Sequence, residues 1–154
     1  RIWPTATGKA MFSVFKGVHE NVVVEGEDVM RLVTLRSHDQ YNTTIYAMDD
    51  RYRGVFGRRD VLFMNEQDMA AQGLEHGDRV DIHTALPGSA LTLRDITVVA
   101  YGIAPGTVGA YYPEANVLVP LNYLDEESGT PSYKSVPVRL TLRSKEIRPL
   151  AGVR

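Results

Sequence analysis

Apolar/polar alternation with a period of two dominates this chain. It is clearest in Ser135-Val136-Pro137-Val138-Arg139-Leu140-Thr141-Leu142-Arg143. Successive side chains of an extended strand point to opposite faces. Val136, Val138, Leu140 and Leu142 therefore share one face, and Arg139, Thr141 and Arg143 the other. Wound into a helix, the same residues would scatter around the axis and bury nothing coherent. Pro137 has no N–H for a ladder, which predicts an edge or a bulge at that point. Further strands are expected at Ala10–Phe15, Met30–Leu35, Val61–Met64, Arg79–His83, Leu91–Tyr101 and Val117–Val119. Short strands punctuated by 13 Gly and 8 Pro suit a small barrel rather than a bundle.

One short helix interrupts the pattern. Asn65 is placed to cap Glu66–Gln72, with Glu66 and Asp68 in the first turn favouring the helix dipole, and Gly73 fits a left-handed stop. Gly77-Asp78 reads as a bend into the next strand, and Pro105-Gly106 as a type II turn. Asp125–Ser132 is a polar loop, and the tail from Ser144 is expected to fray.

With 154 residues, the chain is expected to form one domain over 1–154. It starts on Arg1 with no initiator Met and no apolar signal core, the appearance of a fragment or a processed chain. The absence of cysteine excludes disulfides, thiolate nucleophiles and cysteine-held metal clusters within these residues. A formal net charge of −2 gives no global attraction to nucleic acid. No apolar run approaches the roughly 20 residues of a spanning helix, so membrane insertion is not expected. A cytoplasmic location is expected over a periplasmic one, without a sequence signal that fixes it.

Three segments carry polar chemistry. Thr34–Thr44 (TLRSHDQYNTT) follows a strand and offers hydroxyls, amides, an imidazole and a guanidinium. Backbone N–H groups, hydroxyls and arginine are what phosphate oxygens require, although a solvated surface loop has the same composition. Ser37-His38-Asp39 is no triad, since adjacent side chains diverge. The second segment, Asp49–Asp60, interleaves arginines with Tyr52 and Phe56. Its own aspartates cancel most of that charge, so a flap packed on a neighbour is the better reading than a nucleic-acid surface. In the third, Asn116 stands between a loop and the strand expected at Val117–Val119, where an amide presents donor and acceptor to a heterocycle edge. Lys134, in Pro131-Ser132-Tyr133-Lys134, is an isolated cation able to reach a phosphate. No His/Asp/Glu spacing suits a metal.

In order, the Thr34–Thr43 loop, the Asn65–Val80 helix-turn-strand, Asn116 and Pro131–Lys134 resemble the C-terminal molybdopterin-dinucleotide-binding domain of the dimethyl-sulfoxide-reductase superfamily, in its formate-dehydrogenase-like branch. The resemblance runs from Gly8-Lys9-Ala10-Met11-Phe12 through the final strand. It implies a mainly β fold with short helices, a six-stranded double-psi β-barrel. It implies binding of molybdopterin guanine dinucleotide in the bis form, with molybdenum held by a larger parent oxidoreductase whose remaining domains are the partners. The implied contacts are Thr34, Arg36, Ser37, His38, Gln40, Asn42, Thr43, Asn116 and Lys134. The redox chemistry would belong to the cofactor, and the chain alone would be silent.

If that is the role, the polar loop should face an open, partly apolar groove flanked by Tyr111, Tyr112 and the Arg51–Arg59 flap. Two other uses of such a barrel stay open on sequence alone. One is a stand-alone peptide- or protein-binding module, and the other a self-processing decarboxylase cleaved at a site such as Gly88-Ser89.

Overall fold

Six of the eight strands close into one barrel in the computed structural model, which describes residues 3–12, 26, 28–41, 45–125 and 128–145. In chain order the strands are β1 (Met30–Leu35), the short β2 (Gln40–Tyr41) and β3 (Ile45–Tyr46), β4 (Val61–Met64), β5 (Arg79–Thr84), β6 (Thr92–Ala100), β7 (Thr107–Tyr111) and β8 (Val136–Ser144). Around the barrel they run β1-β7-β4-β6-β5-β8, while β2 and β3 pair only with each other. β1 lies parallel to β7 and β4 parallel to β6; the other neighbours are antiparallel. This mixed order in a six-stranded closed barrel is that of a double-psi β-barrel.

Two faces of the sheet are apolar, and that explains the strand sequences. Met30, Leu32, Leu62, Met64, Val80, Ile82, Val98, Val108, Val136 and Val138 alternate into the main core. The opposite face of β4, β6 and β7 offers Val61, Phe63, Val99 and Tyr111, which pack with Val55 and Leu35 in a second cluster. β4 is therefore buried along its whole length, as its unbroken run Val-Leu-Phe-Met requires. The cover on that second face is the arginine-rich segment, which packs on the barrel as a flap through Val55.

The helix α1 (Glu66–Ala71) begins where expected, with the Asn65 side chain accepting from the Gln67 N–H at 2.9 Å. Gly73, at φ +65°, ends it, and Gly106, at φ +74°, makes the Pro105-Gly106 turn. Sequence reading departs from the structure in several places, the unforeseen β2 and β3 among them. Val117–Val119 is no strand: Asn116 and Val117 lie in a 3₁₀ turn, Glu114–Leu118, whose Ala115 and Leu118 are buried three residues apart. β7 was unforeseen because Gly109 interrupts its apolar run. An added Cβ there would sit 2.7 Å from Leu35 Cδ1, so the tip of that β1 side chain fills the space a larger residue would take. Pro137 lies at neither edge nor bulge. It sits opposite Arg31 in a closed barrel, its carbonyl accepts from the Ala85 N–H, and the β5–β8 irregularity falls between Arg79 and Val80. Ala10–Phe12 form no strand, and the rest of the Ala10–Phe15 expectation lies outside the described residues.

Leu62, fully buried at the centre of the main core, tests this packing. Leu62→Ala should cost about 2–5 kcal/mol of unfolding free energy, read as a lowered urea midpoint at unchanged slope. A loss under about 1 kcal/mol would contradict a close-packed barrel interior.

Candidate functional site

Parallel pairing of β1 with β7 brings the carboxyl ends of two distant strands side by side, Thr34 opposite Ala110 and Leu35 opposite Tyr111. Beyond those ends the chain cannot continue the ladder, and the freed backbone groups are taken up by other segments. The Tyr112 N–H donates to the Leu35 carbonyl at 2.7 Å, and the Thr34 N–H to the Tyr133 carbonyl at 3.2 Å. The Lys134 ammonium donates to the Thr34 carbonyl. The loop after β1, the turn after β7 and the entry to β8 thus meet at one end of the barrel.

A cleft of about 400 Å³ opens there, lined by Tyr112, Asn116, Val119, Pro120, Leu121, Pro131 and Tyr133. Asn116 is exposed on its wall and also borders a second cleft of about 640 Å³ against Leu86–Leu91, the loop containing Gly88-Ser89. The electrostatics at this end are unbalanced. Neither Arg36 nor Lys134 has a carboxylate partner among the described residues. Burial and the Arg36 guanidinium together push the Lys134 ammonium below the usual lysine value. An anion placed beside these cations would relieve their repulsion. Thr34 adds a buried hydroxyl without a hydrogen-bond partner among the described residues, at the strand end held by Tyr133 and Lys134. A buried orphan of this kind calls for a partner. These groups fit a ligand with an anionic bridge and a flat polar edge.

The rest of the predicted loop is divided. Ser37 and Gln40 turn inward and are buried, bonded to each other through the Ser37 N–H and Gln40 Oε1 at 3.2 Å. His38 is partly exposed, with Nδ1 2.8 Å from Asp50 Oδ1 and its ring 4.7 Å from that of Tyr52. Asn42 and Thr43 lie outside the described residues. Tyr111, expected on the groove, is instead 1% exposed in the second core, because its position on β7 faces Phe63 and not the cleft; Tyr112 does line it.

Sequence reading passed over two buried charged residues beneath the loop. Asp50, 1% exposed, accepts from Tyr111 Oη at 2.9 Å, Arg53 at 2.6 Å and His38. Burial pushes its carboxyl up, but the hydrogen bonds from Arg53, His38 and Tyr111 outweigh this and hold it below the usual range. Tyr111 is pushed up in turn by burial and by that carboxylate. Arg59, the second, bonds Ser37, Gln40, the Tyr112 carbonyl and Glu114. The remaining arginines of the flap are also engaged, Arg58 with Asp60 and Arg51 with Asp39. The signal for all this was the near-balance of three aspartates against four arginines in Asp49–Asp60. Their distant partners cannot be read from spacing.

Fold and site together describe a cofactor-binding barrel. Residues 30–137 match the molydopterin dinucleotide binding domain family, and the chain belongs to that family of molybdopterin dinucleotide-binding domains. Protein YdeP of Escherichia coli strain K12 is 43% identical over 143 residues, which is 91% of this chain and 19% of the relative. A Mycobacterium tuberculosis H37Rv protein described as the uncharacterized oxidoreductase Rv2900c is 47% identical over 145 residues, 91% of this chain and 18% of the relative. The chain thus spans about a fifth of the length of these relatives. Acetylene hydratase from Pelobacter acetylenicus shares the fold with a TM-score of 0.52 at 15% identity, over 75% of this chain and 18% of that one. Among the described residues, no cluster of His, Asp and Glu could hold a metal, and no helix is long and apolar enough to cross a membrane.

The depressed Asp50 carboxyl makes stability depend on pH. Its charged form is favoured by folding, so its contribution is present above the unfolded value of 3.8 and is lost as pH falls through the lowered folded value. Asp50→Asn should cost about 2–4 kcal/mol near neutral pH, because the buried position loses the charge that the half-buried Arg53 and the Tyr111 hydroxyl are paired to. In urea titrations the gap to wild type should stay constant from pH 7 to 5 and narrow only below about 3.9. A gap that narrows between pH 7 and 5 would contradict the assignment.

Proposed function

We propose that this chain is the C-terminal cofactor-binding domain of a larger molybdenum oxidoreductase of formate-dehydrogenase-like type, and that the cleft beside Asn116 holds molybdopterin guanine dinucleotide. The observation that carries this reading is that an apolar, amide-edged cleft opens at the end of the barrel where Lys134, next in the chain to the cleft residue Tyr133, and the neighbouring Arg36 have no carboxylate partner among the described residues. A pyrophosphate asks for charge and N–H donors, and a fused heterocycle asks for an adjacent donor and acceptor. In this reading Lys134 and Arg36 supply the charge, and Asn116 supplies the edge, with Tyr112 and Tyr133 as aromatic walls. His38 sits on the same loop with its ring held by Asp50, and Asn42 and Thr43, outside the described residues, are proposed as further contacts.

When bound, the cofactor supplies the redox chemistry, and the metal is held by the parent's other domains. This chain's residues bind, orient and exclude water. The bis form of the cofactor is proposed on the same footing, supported by the second cleft that Asn116 also borders. The remaining four-fifths of the relatives' length is room for the metal-holding domains.

Lys134→Ala in the full-length polypeptide should lower retained guanine nucleotide and molybdenum per chain. Losing a charge-assisted hydrogen bond costs about 1.5–3 kcal/mol, roughly one to two decades in affinity. Asn116→Ala should do the same with a weaker dependence on salt, since it removes no charge. Circular dichroism should be unchanged in both. Full occupancy in both variants would overturn the site.

A further inference from the structure

The two halves of the proposed cleft come from distant parts of the chain, and one buried side chain joins them. Arg59, with its side chain 4% exposed, lies beneath the cleft and cannot reach a ligand in it. Its Nη1 donates to Ser37 Oγ at 2.9 Å and its Nη2 to Gln40 Oε1 at 3.1 Å, both on the loop after β1. The same Nη2 donates to the Tyr112 carbonyl at 2.8 Å, and Nε to Glu114 Oε1 at 2.6 Å, both on the turn that leads into Asn116. Gln40 closes the bridge from the other side, its Nε2 donating to the same Tyr112 carbonyl at 3.0 Å. The guanidinium plane is fixed as well, stacked 3.9 Å from the Tyr46 ring centroid and 4.7 Å from that of Tyr111.

We infer that Arg59 is a positioning residue that sets the distance between the phosphate-facing loop and Asn116, and so controls how tightly the dinucleotide is held. A lysine could neutralise Glu114 but could not span loop and turn at once, because only the planar fork presents donors in several fixed directions. One carboxylate cannot satisfy every donor of a buried guanidinium, and here the remaining donors go to neutral acceptors on the loop, Ser37 and Gln40, and to the Tyr112 carbonyl on the turn. Satisfying Arg59 therefore also fixes the place of the loop relative to the turn. Supporting residues of this kind, which never touch the ligand, change affinity at metal sites by about 10–100-fold.

This inference rests on the proposed cleft, and the test separates the two. The full-length polypeptide is purified with its cofactor, and loss of guanine nucleotide is followed over time in wild type, Arg59→Lys, Gln40→Leu, Asn116→Ala and the double variant Arg59→Lys/Asn116→Ala. Gln40→Leu cuts the bridge from the loop side with Arg59 and its ion pair intact, so a folding defect in Arg59→Lys would not leave the question open. The expected result is nucleotide loss about tenfold faster in both bridge variants at unchanged circular dichroism. The double variant should lose nucleotide more slowly than the product of its single effects, since both act through the placement of Asn116. Wild-type retention in a folded Gln40→Leu, or strictly multiplicative effects in the double variant, would overturn the positioning role. Wild-type retention in Asn116→Ala would remove Asn116 from the binding site and the inference with it, a pattern distinct from failure of the bridge variants alone.

Discussion

Parallel pairing of β1 with β7 is the constraint on which the rest depends. Parallel neighbours need a long crossover, and here the crossover consists of the flap, β4, α1 and the strands β5 and β6. Because the pair is parallel, both strands end at the same end of the barrel, and their following loops must share it. The cleft lies where those loops diverge, with Tyr112 and Asn116 from one and the Tyr133–Lys134 entry to β8 laid across the other. Ligands bind at strand ends in many folds for this reason: irregular backbone there has groups to spare, while a closed ladder has none.

The second apolar face extends the argument. A sheet buried on one face only would leave Phe63, Val99 and Tyr111 in water, and the Asp49–Asp60 segment covers them. That cover brings charged residues into a low-dielectric layer, where each has to be matched. Asp50 is met by Arg53, His38 and Tyr111, and Arg59 by Glu114 and a set of neutral acceptors. The matching in turn immobilises Ser37, His38 and Gln40. The hydrophobic requirement of one layer thus produces the rigidity of the loop above it, which suits a site that has to be preorganised.

Much of this was legible in the sequence because it is local. Alternation marked Met30–Leu35 and a short apolar run marked Val61–Met64, both to the residue, and the Asn65 cap and Gly73 stop marked α1. Barrel closure followed from the family resemblance, since periodicity says nothing of strand order. What escaped was set by partners far along the chain. Gly109 hides β7 until β1 is placed beside it, and Val117 and Leu118 look like strand until Ala115 is seen buried on the same side of a 3₁₀ turn. Within the site, the exposed amide of Asn116 on a cleft wall was anticipated, but the inward turn of Ser37 and Gln40 was not. Their polarity reads equally as ligand contact and as a partner for a buried arginine, and only the placement of Arg59 decides between them.

The central claim is that the dinucleotide lies at the shared end of β1 and β7. The most direct measurement is an experimental structure of the full-length polypeptide with its cofactor retained. The account predicts guanine dinucleotide density in the cleft between Tyr112 and Tyr133, with a phosphate oxygen within hydrogen-bond distance of Lys134 and a heterocycle edge on Asn116. A cleft filled by protein side chains, with the dinucleotide held elsewhere on the barrel, would contradict it.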